Sequence, residues 1–249
     1  MKSKIYRLSV IAIMAITISM ASSILLAGCA KNVKKPVLPP DVYYKKALFY
    51  AGKHDYSNAA KNFKALIENY PTYHNTQEAE LKLGDAYYLG GKFIEAQGAY
   101  MDFIRLHPNS KYTPFAMYYA AMSYYKRKEA VGRTQSPLRH AKLMFEELVS
   151  KYPYSEYSKK ALKYIKMINI DLSENTFFTG LYYFNASLWK PAAYIFKAVL
   201  KQYPGTPVIP KTLYCLTVCY RNLNDKKTEN YYKNILRTNY PQSKYAKMA

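Results

Sequence analysis

Chemistry in a polypeptide needs titratable or nucleophilic side chains that converge, and this chain offers few of them. Its four histidines, His54, His74, His107 and His140, are scattered over turns and helix edges, with no His-Glu-x-x-His or other ligand spacing. Cys215 and Cys219 stand four apart, one helical turn, which places both thiols on one face. Without a nearby histidine or carboxylate they make an incomplete metal site, and the spacing is not Cys-x-x-Cys. Burial as small apolar residues is the expectation for this pair, with an intrahelical disulfide as the alternative. Glu146 and Glu147 are adjacent and leave a helix in different directions, so they do not pair for acid–base work. No glycine-rich phosphate loop and no nucleophile elbow occurs. The expectation is therefore no catalytic residue, no metal site and no cofactor. Cys29 differs from the other two cysteines, because small residues precede it in Leu26-Ala27-Gly28-Cys29 and a Lys/Pro segment follows.

The element that presents Cys29 is a processing signal. Lys2, Lys4 and Arg7 form a positive start, and an apolar run from Leu8 to Leu26 follows without any acidic residue. The run and the cysteine resemble the lipobox of bacterial lipoproteins, whose peptidase cuts before a cysteine that already carries a diacylglyceryl thioether. Lipid, palmitate included, is thus expected on Cys29, and a permanent membrane-spanning helix is the competing reading. In such lipoproteins Asp after the cysteine favours the inner membrane; Ala30 stands there, so the resemblance implies delivery to the outer membrane. Residues 1–28 are then a signal peptide, 29–41 a lipidated leash rich in Lys and Pro that extends by about 3.1 Å per residue, and 42–249 the folded domain.

The 249 residues include 37 Lys and Arg against 16 Asp and Glu, 29 Tyr and one Trp. Loss of the signal removes three cations and lowers the net charge from +21 to +18. Such an excess attracts anionic membranes, nucleic acids or acidic proteins, and says nothing about fold. The composition excludes disorder, collagen, a disulfide-built scaffold and a many-spanning membrane protein.

Self-similarity organises the folded part. An aromatic residue or His precedes Pro at Tyr70-Pro71, His107-Pro108, Tyr152-Pro153, Tyr203-Pro204 and Tyr240-Pro241, each after a segment of helical periodicity. Proline there stops a helix, since it lacks the donor and disfavours helix at the preceding residue. Counting back from each proline gives the small and large residues of the 34-residue tetratricopeptide repeat: Tyr43, Ala47, Tyr50, Ala59 and Phe63, then Leu83, Gly84, Tyr87, Ala96 and Tyr100. The third repeat fits at Ala121, Tyr124, Ala141 and Phe145 with eight residues inserted within Lys126 to Leu138. The fourth fits at Gly180, Tyr183, Ala192 and Phe196 after an additional helical stretch from Tyr157 to Leu172. The fifth keeps Leu216 and Tyr220 but has Glu229 and Lys233 where Ala and an aromatic belong, which reads as the polar outer face of a terminal cap. The fold class is all-α, a right-handed tetratricopeptide superhelix of about five helix pairs. Its concave face, lined by first helices, is expected to carry Tyr44, Leu48, Leu81, Tyr88, Tyr118, Met122 and Tyr125, an aromatic and aliphatic peptide groove.

Phe103-Ile104-Arg105-Leu106-His107-Pro108, and Arg133-Thr134-Gln135 followed by Ala141, Phe145, Tyr152-Pro153 and Ser155, resemble signatures of the ComL family of outer-membrane β-barrel assembly lipoproteins. Thr134 stands where that family usually has Asp. The resemblance implies a non-catalytic subunit anchored by lipid to the periplasmic face of the outer membrane. Its partners would be a barrel assembly protein with periplasmic repeat domains, unfolded outer-membrane β-barrel precursors and other assembly lipoproteins. It places precursor contacts on the groove tyrosines and partner docking near Phe177, Leu181, Phe184, Tyr220 and Arg221. Two other functions fit a repeat protein of this charge: an envelope scaffold that coordinates peptidoglycan synthesis, and a nucleic-acid binder in DNA uptake. The second is the weaker fit, because the aromatic positions follow the packing period and need no base stacking.

Overall fold

The computed structural model describes residues 36–249, and those residues contain eleven α-helices and no strand. Helices α1 (Pro40–Gly52) and α2 (Tyr56–Asn69) form the first hairpin, α3 (Thr76–Leu89) and α4 (Phe93–Leu106) the second, α5 (Thr113–Tyr125) and α6 (Ser136–Lys151) the third. The fourth pairs α7 (Glu156–Asn185) with α8 (Trp189–Gln202), the fifth α9 (Ile209–Asn222) with α10 (Lys226–Asn239), and α11 (Lys244–Met248) closes the stack. Every helix packs on the one before it, and first helices also touch the next first helix at α5–α7, α7–α9 and α9–α11. This is the nearest-neighbour stacking of a tetratricopeptide solenoid. No described helix is long and apolar enough to cross a membrane.

The five prolines act as the sequence predicts. Tyr70, His107, Tyr152, Tyr203 and Tyr240 each end a helix with φ between −138° and −130° and ψ between 50° and 64°, outside the helical region. The carbonyls at three of these breaks gain a side-chain partner beside a backbone N–H. A hydroxyl six residues on turns back to accept this role as donor: Thr76 to the Tyr70 carbonyl (2.9 Å), Thr113 to that of His107 (2.8 Å), Ser158 to that of Tyr152 (2.6 Å). All three hydroxyl residues are buried, and each bond adds a second donor to a carbonyl that already accepts a backbone N–H three residues on.

The turn within a hairpin has its own rule. His54, Gly91, Ser187 and Asn224, each two residues before the second helix, adopt φ of 58°, 73°, 58° and 58°. The left-handed residue reverses the chain in two or three steps, and only the third hairpin replaces it with a loop, residues 126–135. Gln135 organises that loop by donating from Nε2 to the Glu129, Ala130 and Arg133 carbonyls. The inserted length thus ends at Gln135, and Ser136 and Pro137 belong to the first turn of α6, where proline needs no donor.

Close helix contact rests on the small residues. A Cβ at Gly84 would lie 2.6 Å from the Tyr100 ring, and one at Gly180 would lie 2.5 Å from the Phe196 ring. Helix α1 begins at Pro40, where proline needs no donor, and Asp41 sits in its positive first turn. The stretch from Tyr157 to Leu172 is helical, as expected, and forms the first half of α7, whose 30 residues run without a break. One expectation changes. Glu229 is not an outer polar face. It is buried at the helix contact, where Arg221 Nε (2.7 Å) and Lys226 Nζ (3.0 Å) hold its two carboxylate oxygens and keep its carboxyl below the usual range. The covering function falls to α11, whose Ala246 is buried and whose Tyr245 ring lies 5.9 Å from Tyr214.

Candidate peptide-binding site

The first helices of the second, third and fourth repeats enclose a cleft of about 800 Å³. α3 supplies Gln77, Glu78, Leu81, Lys82 and Asp85, α5 and the turn before it supply Lys111, Tyr112 and Phe115, and α7 supplies Tyr157. The spacing of Gln77, Leu81 and Asp85, four apart, follows from one helical face. Tyr157 arrives because Ser155 caps α7, accepting from the Tyr157 backbone N–H at 3.2 Å. Lys82 and Lys111 bring positive charge, and apolar contact comes from Leu81 and the Phe115 and Tyr157 rings, which meet edge to face at 5.6 Å.

Asp85 anchors the wall. The hydroxyl of fully buried Tyr100 donates to it at 2.6 Å. Burial raises the Asp85 carboxyl above the usual range, against the opposing influence of that hydrogen bond and of Lys82.

Behind the cleft the tyrosines pack on one another rather than line it. Tyr119 lies 5.3 Å from Tyr88, 5.9 Å from Tyr100 and 4.7 Å from Phe115, ring centre to ring centre. Tyr118 meets Phe145 and Tyr157, and Tyr125 meets Tyr164 at 5.0 Å. Burial, and then the neighbouring Tyr119 and Tyr164, push the Tyr88 phenol up to about 12.

Of the seven residues expected to line an open groove, Tyr118 and Met122 are buried and correct that expectation, because α7 lies against α5 and shares a core with them. Leu81 is also buried, against α4 and α5. Only Leu81 borders the cleft. Tyr88 and Tyr125 are half-buried in the aromatic network. Tyr44 and Leu48 lie on α1 and do not line the cleft: Tyr44 is edge-on to Phe63 and reaches Glu78 of the cleft wall, its phenol pushed up to about 12 by burial and by Glu78, and Leu48 is exposed. Tyr157, Phe115 and Lys111 were not singled out. Their signal was present in the position that each holds before or within the first turn of a first helix.

The docking residues divide in the same way. Phe177 is buried against Phe196 at 5.3 Å with Lys211 Nζ over its face at 4.6 Å. Phe184 packs on Trp189, Tyr220 stacks on Tyr232, and Arg221 is engaged by Glu229. Phe184 and Tyr220 serve their own hairpins, while Arg221 stays exposed even as Glu229 engages it. Leu181, with Phe177 and the half-exposed Phe178, borders a recess of about 330 Å³. Cys29 lies outside the described residues. Cys215 and Cys219 are free, buried thiols, each pushed up to about 12 by burial, so the pair sits as small apolar residues rather than as a disulfide.

A stack of helical hairpins in which small residues nest against large rings is a tetratricopeptide scaffold, here with a cleft lined by aromatic residues and by charges of both signs. The chain belongs to the outer membrane lipoprotein family described as YfiO, whose profile matches residues 37–236. Relatives include outer membrane protein assembly factor BamD of Caulobacter vibrioides, 27% identical over 88% of this chain and 74% of that one, and its counterpart from Rickettsia prowazekii, 28% identical over 89% of each. A solved tetratricopeptide repeat protein from Parabacteroides merdae aligns at a TM-score of 0.38 and 15% identity, over 82% of this chain and 68% of that one.

Proposed function

We propose that this chain is a non-catalytic lipoprotein subunit of the machinery that assembles β-barrel proteins in the outer membrane. In this reading Cys29 carries the lipid, residues 1–28 are removed, residues 30–39 are the leash, and the repeats stand on the periplasmic face. The stack holds a barrel assembly protein and other assembly lipoproteins, and it receives unfolded barrel precursors. The family match over residues 37–236, with relatives named as assembly factors, is the observation that carries it.

The cleft between α3, α5 and α7 suits the receiving role. An extended precursor segment with an aromatic residue near a terminal carboxylate would place the ring against Phe115 and Tyr157 and the carboxylate near Lys82 or Lys111. No bond is made or broken, so holding is the whole of the chemistry. Depletion of the protein followed by quantification of folded barrels in the outer membrane tests the reading: barrel levels are expected to fall, and unchanged levels refute it. Cys29→Ser tests the anchor, with loss of incorporated radiolabelled palmitate as the expected result.

A further inference from the structure

Helix α1 opens the stack, and among the described residues no helix precedes it. Its inner side is set by Ala47, which is fully buried in the core shared with α2. At about 100° per residue, Lys45, Lys46, Phe49 and the C-cap residue Lys53 fall within about 100° of one another on the side away from Ala47. All four are exposed, and Phe49, at 61%, is more exposed than any other phenylalanine among the described residues. Lys53 Nζ lies 5.9 Å from the centre of the Phe49 ring, so the cations and the ring form one patch.

The charge of this patch has no internal counterweight. Lys64, Lys82, Lys142, Lys151 and Lys160 each pair with a glutamate one turn away, but no ion pair among the described residues engages Lys45, Lys46 or Lys53. Asp41, the one acidic residue of α1, accepts from the Tyr73 hydroxyl at 2.6 Å. The sequence between Cys29 and α1 adds Lys31, Lys34 and Lys35 and no acid. Residues 30–39 span at most about 35 Å when fully extended, so α1 is the helix tied by the shortest length of chain to Cys29.

We propose that the Lys45–Lys46–Phe49–Lys53 face of α1 docks on the anionic phospholipid surface in which Cys29 is anchored, and so fixes how the stack stands on the membrane. The proposal rests on the reading of Cys29 as the lipid anchor. A helix ridge with a ring flanked by lysines suits the headgroup layer: the ring and the lysine stems enter its apolar edge, and the ammonium groups stay among the phosphates. A lipid chain and a basic patch on one short stretch of chain act together, since the anchor holds the patch at high local concentration and the patch removes the freedom of the tether. An acidic protein would answer the lysines, but a single ring on a convex ridge offers it no recess to fill.

The test uses the lipidated protein, purified from membranes and reconstituted into vesicles of mixed phosphatidylglycerol and phosphatidylcholine. A fluorophore is placed at Gly52→Cys, an exposed position where a Cβ meets nothing within 4 Å, or at the exposed control Tyr194→Cys on α8. Cys215 and Cys219 are buried and a lipidated Cys29 has no free thiol, so the new cysteine takes the label. Quenching by a spin label near the top of the acyl chain is expected at position 52 and not at 194, and it should weaken as salt is raised. Each lysine at an anionic surface favours the docked state about fivefold, so Lys45→Gln/Lys46→Gln/Lys53→Gln should lower the docked-to-free ratio about a hundredfold. Phe49→Ser should lower it as well, whereas Lys159→Gln/Lys163→Gln/Lys166→Gln on α7 should leave it unchanged, with far-UV circular dichroism verifying the fold of each variant. Failure of the protein to float with the vesicles, or labelling of Cys29 in the parent chain, refutes the anchor and the proposal with it. Flotation without quenching at position 52 overturns the proposal alone and gives the patch to an acidic protein. Equal quenching in pure phosphatidylcholine, or in the α1 lysine variant, overturns it too.

Discussion

Substituting Gly84 by Ala tests whether the hairpins nest at the small-residue positions. In an exposed helix interior this change stabilises by about 0.5–1 kcal/mol, because alanine loses less backbone entropy than glycine. At Gly84 the new methyl carbon would lie 2.6, 2.7 and 2.8 Å from three carbons of the Tyr100 ring, where ordinary contact needs about 3.5–4.0 Å. The ring would have to retreat by about 1 Å. It is fully buried, its hydroxyl is fixed on Asp85 at 2.6 Å, and Phe115 and Tyr119 pack beside it. Overpacking of this kind costs about 1–3 kcal/mol, so the net expectation is a loss of about 1–2 kcal/mol. Gly98, on α4, is the internal control, since a Cβ there meets nothing within 4 Å and Gly98→Ala should gain the full propensity term. Equilibrium urea unfolding followed by far-UV circular dichroism measures both. A Gly84→Ala protein as stable as the Gly98→Ala protein would show that α3 and α4 do not meet as described, and Gly180→Ala against Phe196 repeats the experiment in the fourth hairpin.

Ser158→Ala removes one of two donors to the Tyr152 carbonyl, which keeps the Ser155 N–H at 3.0 Å, and should cost about 0.5–1.5 kcal/mol in the same assay, the net worth of an ordinary hydrogen bond. Gly91→Ala places a Cβ in a left-handed turn with open space around it, so any loss, about 1 kcal/mol, reports backbone strain alone. Two carboxylates titrate with opposite sign. Glu229, held below the usual range by Arg221 and Lys226, contributes stability above its unfolded value near about 4.3 that disappears as pH falls through the depressed folded value. Asp85, raised by burial, contributes stability at low pH that disappears as pH rises from its unfolded value near about 3.9 through the raised folded one. Asp85→Asn, which can still accept from Tyr100, should therefore stabilise at pH 7 and not at pH 3, and Arg221→Ala should bring acid unfolding to a higher pH. Both are read from urea midpoints across a pH series.

The repeat was legible because its signals are local and recur: proline after an aromatic residue, and glycine or alanine opposite a large ring, repeat with the hairpins. Even the departures had a visible origin, such as the polar residues between Lys126 and Leu138. Exposure was harder to read. Tyr118 and Met122 have the right spacing for a groove, but helical phase fixes only direction, and the neighbour that fills that direction depends on α7 running unbroken from Glu156 to Asn185. Glu229 misled for a related reason. A charged residue at a contact position implies an uncovered surface only when no cation can reach it, and Arg221, eight residues earlier, reaches it across the hairpin turn.

The abundance of tyrosine acquires a physical meaning from this arrangement. A phenylalanine network between α4, α5, α6 and α7 would bury as much ring area, but it would leave no polar handle where the array meets the cleft. Tyr100 is the clearest case, with its ring filling the space that Gly84 opens and its hydroxyl fixing Asp85 on the cleft wall. One side chain thus links the small-residue packing of α3 on α4 to the position of a charge at the candidate binding surface. Tyr100→Phe should separate the two roles. The Gly84 contact is preserved, while Asp85 loses its donor and its carboxyl should rise further, because that hydrogen bond now opposes the effect of burial. Nuclear magnetic resonance titration of the Asp85 side chain measures the shift, and an unchanged carboxyl in Tyr100→Phe would break the link between the packing and the cleft.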